Sequence, residues 1–184
     1  MFRGKLLLRD GLVNYLFHPP LIPPTAAKKV PQLVIFGGTA QTINYMVGHH
    51  KDLALRRGVL HYEIRGQGRK TTLPVSDCSL KQHVKDFLAV LDANPHYVAG
   101  EPVDLAGFSL GGRVALAIAA TVPELVGKIV ITGLGADGGV RARVVRNAWL
   151  ASLETGDLKS FMWQSMSVAH TEAFLRLHES RLHR

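Results

Sequence analysis

The sequence predicts an α/β fold, a doubly wound and mostly parallel sheet with an N-terminal β-hairpin, and three observations carry that expectation. From about residue 32 to residue 132, short apolar runs alternate with helix-forming stretches, and repeated βα alternation with short connections gives parallel strands joined by right-handed crossovers. The apolar runs are continuous rather than alternating, as in a sheet covered on both faces. From Arg141 onward no β-prone run returns, so the sheet is expected to be incomplete at its C-terminal end. The expected organisation is a six-stranded core over residues 1–140 and a helical segment over residues 141–184.

The hairpin rests on Lys5-Leu6-Leu7-Leu8 and Leu12-Val13-Asn14-Tyr15-Leu16-Phe17, separated by Arg9-Asp10-Gly11. An Asp-Gly pair between two β-prone runs is a strong turn signal. His18-Pro19-Pro20 through Pro23-Pro24 reads as a stiff connection, because proline cannot donate to a sheet ladder. Pro31 to Phe36 is the next strand, ending in the polar, glycine-containing loop Gly37-Gly38-Thr39. Ala40 to Arg57 supports a helix, with Gly58 as its stop.

Val59 to Ile64 is a further strand and leads into Arg65-Gly66-Gln67-Gly68-Arg69. This stretch lacks the third glycine and the immediate helix of a dinucleotide fingerprint, so no cofactor site is expected there. Ser79 opens the clearest helix, with Gln82 three residues later completing a capping-box pattern. Leu80, Val84, Phe87, Leu88 and Leu91 recur at helical spacing, while Lys81, Lys85, Asp86 and Asp92 occupy other faces. His83 in this helix reads as a surface histidine.

Val103-Asp104-Leu105-Ala106 forms a short strand that runs into Gly107-Phe108-Ser109-Leu110-Gly111. This is the G-x-S-x-G nucleophile-elbow pattern, in which a serine projects from a tight strand-to-helix turn. Glycine tolerates the turn, and the helix former that follows, Leu110 to Thr121, completes the order strand, elbow, helix. Lys128 to Thr132 is the last strand, ending in Gly133-Leu134-Gly135-Ala136-Asp137-Gly138-Gly139. Beyond it, Trp149 to Met166 and Ala169 to Arg184 read as short helices, with a break at Thr155-Gly156-Asp157.

Composition narrows the classes. The 184 residues are 47% hydrophobic and 20% charged, the balance of a globular chain with a real core. No apolar run approaches the roughly 18 residues of a membrane span. Lysine and arginine number 22 against 14 acidic residues, a formal net charge of +8. The excess is scattered rather than gathered in one stripe, which argues against a nucleic-acid partner. Cys78 is the only cysteine, so neither an intrachain disulfide nor a thiolate metal cluster is expected, and the expected location is the cytoplasm or an organellar matrix.

Three ordered motifs resemble those of the α/β-hydrolase superfamily over roughly residues 5–165. Phe36-Gly37-Gly38-Thr39 stands at the oxyanion loop, Tyr62-Glu63-Ile64-Arg65-Gly66-Gln67-Gly68 resembles a D-x-R-G-x-G turn, and Gly107 to Gly112 resembles a G-x-S-x-G-G elbow. The resemblance implies a serine hydrolase acting on a small carboxylic ester or thioester, without a cofactor or metal. Ser109 would be the nucleophile, with the backbone N–H groups of Leu110 and of Thr39 or Gly38 holding the oxyanion.

The family order places an acid and then a histidine after the serine. Asp137 is the candidate acid. His170 is the candidate base, ahead of His178 and His183, although none of the three follows a strand or sits beside a glycine-rich turn. The expectation is therefore a truncated form with an incomplete triad, whose helices after Arg141 begin a lid and whose uncovered sheet edge favours self-association. Gly111-Gly112-Arg113 also resembles the elbow of a menaquinone-pathway lyase, the synthase of a cyclohexadiene carboxylate. In that alternative Arg65 or Arg113 would bind a substrate carboxylate. A non-catalytic, hydrolase-like fragment is the third reading.

Overall fold

Asp10 and Gly11 close a hairpin between β1 (Phe2–Leu8) and β2 (Gly11–His18), in a register that pairs Leu8 with Gly11 and Phe2 with Phe17. Leu6, Leu8, Val13 and Phe17 are buried, so the hairpin contributes one apolar face to the core. The computed structural model describes residues 1–22, 30–134 and 139–182. Pro23 and Pro24 of the proline-rich connection lie outside the described residues. Before them, Leu21 and Ile22 donate backbone hydrogen bonds to the carbonyls of Ala54 and Leu55.

β3 (Leu33–Phe36) and β4 (Val59–Tyr62) are buried at every position, as their continuous apolarity predicts for strands covered on both faces. β5 (Val103–Phe108) and β6 (Val126–Thr132) complete a six-stranded sheet in the order β1-β2-β4-β3-β5-β6. β4, β3, β5 and β6 run parallel to their neighbours, and the hairpin joins antiparallel through β2 and β4. β6 departs from the pattern. It pairs only with β5 among the described residues, and Val130 at its centre is 66% exposed.

α3 (Leu80–Ala93) and α4 (Leu110–Thr121) pack on one face around Phe36, Tyr62, Phe87, Leu105 and Ile118. A smaller cluster on the other face gathers Leu33, Ile35, Val59, Met46 and Ala54. The helix expected over residues 40–57 is instead two single turns, α1 (Ile43–Met46) and α2 (His50–Leu53), joined by a 3₁₀ turn at Val47–His49. Met46 and Ala54 nevertheless cover the sheet as an intact helix would.

The Ser79 cap forms as expected, its hydroxyl accepting the Gln82 N–H at 3.2 Å. The Gln82 side chain does not reach back to close the box and donates to Asp86 at 3.0 Å. His83 and Asp86 also depart from the expected surface roles, since both are buried. Asp86 turns inward because Arg65 meets it with two hydrogen bonds, of 2.9 and 2.7 Å. The same guanidinium donates to Asp10 in the hairpin turn and to the Pro74 carbonyl. One arginine thus ties the hairpin, the loop after β4 and α3 together.

A second clamp sits in β5. Asp104 accepts from the Arg57 guanidinium at 2.7 Å and from the Lys128 N–H at 2.8 Å, beside the register shift between Val103 and Leu105.

The chain divides into two compact units, residues 1–134 and 135–184. The second unit consists of α5 (Gly139–Glu154), α6 (Leu158–Ala169) and α7 (Glu172–Leu182). α5 and α6 meet through the Trp149 and Phe161 rings and through a hydrogen bond from Gln164 to Ser152. Asp157 caps α6 by accepting the Ser160 N–H, ending the break that Gly156 opens. No helix among the described residues is long and apolar enough to cross a membrane.

Candidate active site

Ser109 occupies the single residue between β5 and α4, and its backbone is strained. Its φ of 51° and ψ of −113° lie where a residue with a side chain is rarely found. Two hydrogen bonds hold the turn: the Ser109 N–H donates to the Thr132 carbonyl at 2.9 Å, and the Ser109 carbonyl accepts the Gly112 N–H at 2.9 Å. The flanking glycines are needed because the backbone closes on itself. A Cβ at Gly107 would lie 2.6 Å from the Gly111 carbonyl oxygen, and one at Gly111 would overlap the Phe36 carbonyl. The serine is exposed, and its hydroxyl does not cap the helix.

The loop after β3 stands against this serine. A Cβ at Gly38 would be 3.2 Å from the Ser109 Cβ, so the loop and the turn are in contact. Within the loop, the Gly38 N–H donates to Gln41 Oε1 at 2.7 Å and the Ala40 N–H donates to Gln67 Oε1 at 2.8 Å. Of the two loop amides that the sequence nominates, Gly38 is therefore already engaged, while Thr39 makes no hydrogen bond among the described residues. Leu110 is the first residue of α4, and its N–H has no partner within the helix. A helix N-terminus also favours developing negative charge.

The remaining nominated residues fall outside the first unit or outside the described residues. Asp137 lies outside the described residues, as does His183. His170 is in the second unit, where it ends α6 and stacks on Phe174 with ring centroids 4.2 Å apart. His178 packs on the same phenylalanine at 4.3 Å.

The described histidine side chains of the first unit are held elsewhere. His18 and His61 are buried in strands, and His96 stacks on both Phe2 and Phe17. His83 is buried in α3, where loss of hydration holds its imidazole below the ordinary range. Arg65 is committed to Asp86 and Asp10, whose hydrogen bonds raise its already high pKa, so it is not free to bind a substrate carboxylate. Arg113 is exposed on α4. The roles of Asp86 and Asp104 were hidden in the sequence. The only available signal was an acid inside an otherwise apolar strand at Asp104.

A mostly parallel sheet behind an antiparallel hairpin, with a strained serine between a central strand and a buried helix, defines the α/β-hydrolase class of fold. The sequence model described as the alpha/beta hydrolase family matches residues 43–181, and the chain belongs to that family. An uncharacterized protein of Mycobacterium tuberculosis is 31% identical over 129 residues, covering 68% of this chain and 35% of its own length. The chain thus spans about a third of the curated relatives it matches.

Solved structures agree in fold at low identity. MGS-M2, an alpha/beta hydrolase enzyme from a Medee basin deep-sea metagenome library, superposes with a TM-score of 0.82 at 15% identity, over 98% of this chain and 62% of that one. The enol-lactonase from Burkholderia xenovorans gives a TM-score of 0.70 at 15% identity, over 97% of this chain and 64% of that one.

Proposed function

We propose that the chain is a serine hydrolase acting on small carboxylic esters or thioesters, with Ser109 as nucleophile at a nucleophile elbow. The observation that carries this reading is the Ser109 backbone, because a strained residue held by surrounding contacts is the mark of a positioned functional group. The Ser109 hydroxyl attacks the substrate carbonyl, and the Leu110 and Thr39 N–H groups form the oxyanion hole. Removing one such donor typically costs about 2.7–4 kcal/mol of transition-state stabilisation. Among solved structures of this fold, an enol-lactonase and Est816, described as an N-acyl homoserine lactone degrading enzyme, support an ester-type substrate class.

We read the triad around this serine as incomplete. This reading is supported by the described histidine side chains of the first unit, which are buried in strands and in α3 or stacked on aromatic rings, and by His170, which stacks on Phe174 in the second unit. Acylation of Ser109 is then slow, because no side chain takes the hydroxyl proton, which passes to solvent as the alcohol or thiol of the substrate departs. The test is hydrolysis of short p-nitrophenyl esters and acyl thioesters by the native chain, Ser109→Ala and His170→Ala. Slow turnover that disappears in Ser109→Ala and persists in His170→Ala is expected. Turnover unchanged in Ser109→Ala refutes the nucleophile, and a tenfold or greater loss in His170→Ala refutes the incomplete triad.

A further inference from the structure

A cavity of about 670 Å³ opens at the carboxyl end of β4, between the hairpin, the N-terminus of α1 and the 68–70 turn. Its lining carries four cations, Arg3, Lys5, Arg69 and Lys70, and one carboxylate, Glu63. The sequence pattern scattered these charges, and the register collects them. Lys5 pairs with Asn14, and residues two apart on a strand share a face, so Arg3, Lys5 and Asn14 project from the same side of the hairpin. The turn after Glu63 then delivers Arg69 and Lys70 to the same opening.

Arg3 is held in place by a 2.9 Å hydrogen bond to Asn44. Lys5, Arg69 and Lys70 form no ion pair among the described residues. Glu63 is 6% exposed at this site and offsets only one of the four positive charges. Asn14, Tyr15 and Thr42 add neutral hydrogen-bonding groups to the lining.

We infer that this cavity binds a small, multiply charged oxyanion, a phosphate ester or a polycarboxylate. Unpaired cations converging on one concave site raise the local concentration of anions far more than the same charges spread over a surface. Three positive charges in excess match a di- or trianion rather than a single carboxylate. The volume accommodates a ligand larger than a bare phosphate ion. The carboxyl end of the parallel strands is where open α/β sheets bind ligands.

The experiment is calorimetric titration of the 184-residue chain with inorganic pyrophosphate and with citrate, at low and at moderate ionic strength. The comparison is between Arg69→Gln/Lys70→Gln and a control that removes equal charge from the exposed side of α3, Lys81→Gln/Lys85→Gln. Lys5→Gln serves as a second cavity variant on a different element. The inference predicts saturable one-to-one binding of at least one probe, weakened at least about tenfold by the cavity double variant, weakened by Lys5→Gln, and left unchanged by the control. The tighter probe identifies phosphate or carboxylate as the recognised group. Absence of saturable binding overturns the inference, and so does equal weakening in cavity and control variants, which means diffuse attraction only.

Discussion

Replacing Ser109 by glycine is expected to stabilise the fold while abolishing the nucleophile. The residue sits at φ 51° and ψ −113°, and its side chain makes no capping hydrogen bond that the change would remove. Strain in such sparsely populated regions is about 1–3 kcal/mol per residue, and glycine relieves it. Against this, the unfolded chain gains freedom worth about 0.4–1 kcal/mol. The net expectation is about 1 kcal/mol in favour of Ser109→Gly, or about 2–4 °C in Tm for a chain of this size. Ser109→Ala keeps its Cβ and therefore keeps the strain, so it should match the native chain within about 0.5 kcal/mol. Comparing Gly with Ala by urea and thermal unfolding isolates the backbone term from the loss of the hydroxyl. At an ordinary helical position glycine would be about 1 kcal/mol the worse of the two. If Ser109→Gly is less stable than Ser109→Ala, the turn is not strained and the argument for a positioned nucleophile falls.

The Arg65 clamp gives a prediction of opposite sign. Removing one partner of the buried Arg65–Asp86 pair, as in Asp86→Ala, should lose up to about 3–5 kcal/mol in urea unfolding, because the buried guanidinium then keeps only the partly exposed Asp10 as an ion-pair partner. Arg65→Met/Asp86→Leu should lose less than either single change, and additive losses would contradict the clamp. For His83, burial lowers the folded-state pKa below the unfolded value, so the unfolded chain takes up the proton first as pH falls. Its contribution is present above the ordinary histidine pKa of about 6.5 and is lost as pH drops toward the folded value. His83→Gln should therefore flatten the fall in urea midpoint between about pH 7.5 and about pH 5, and an unchanged slope would contradict the burial account.

The strands and the serine turn were legible because local rules and tertiary demands agree there. Continuous apolar runs at Leu33–Phe36 and Val59–Tyr62 are buried on both faces, and two glycines permit the backbone approach at Ser109. Residues 40–57 were misread because helix-forming composition does not register a competing loop geometry. There, Gln41 and Gln67 side chains capture backbone N–H groups, and helical turns begin only at Ile43. Asp86 looked like a surface residue because its burial depends on Arg65, 21 positions away, which no local pattern reveals. The cation-lined cavity was equally hidden, since strand register and a turn bring together Lys5 and Lys70 from opposite ends of the first 70 residues. Acid and base candidates stayed at the level of chain order, with Asp137 outside the described residues and His170 in the second unit.

Covalent labelling tests the central claim most directly. The native 184-residue chain is treated with a fluorophosphonate, digested and mapped by mass spectrometry, with and without added imidazole as an external base. A serine positioned at an oxyanion hole but lacking its own base should form a slow adduct confined to the Ser109 peptide, accelerated by imidazole and absent in Ser109→Ala. An adduct on another residue, or none at Ser109 even with imidazole present, would contradict the account.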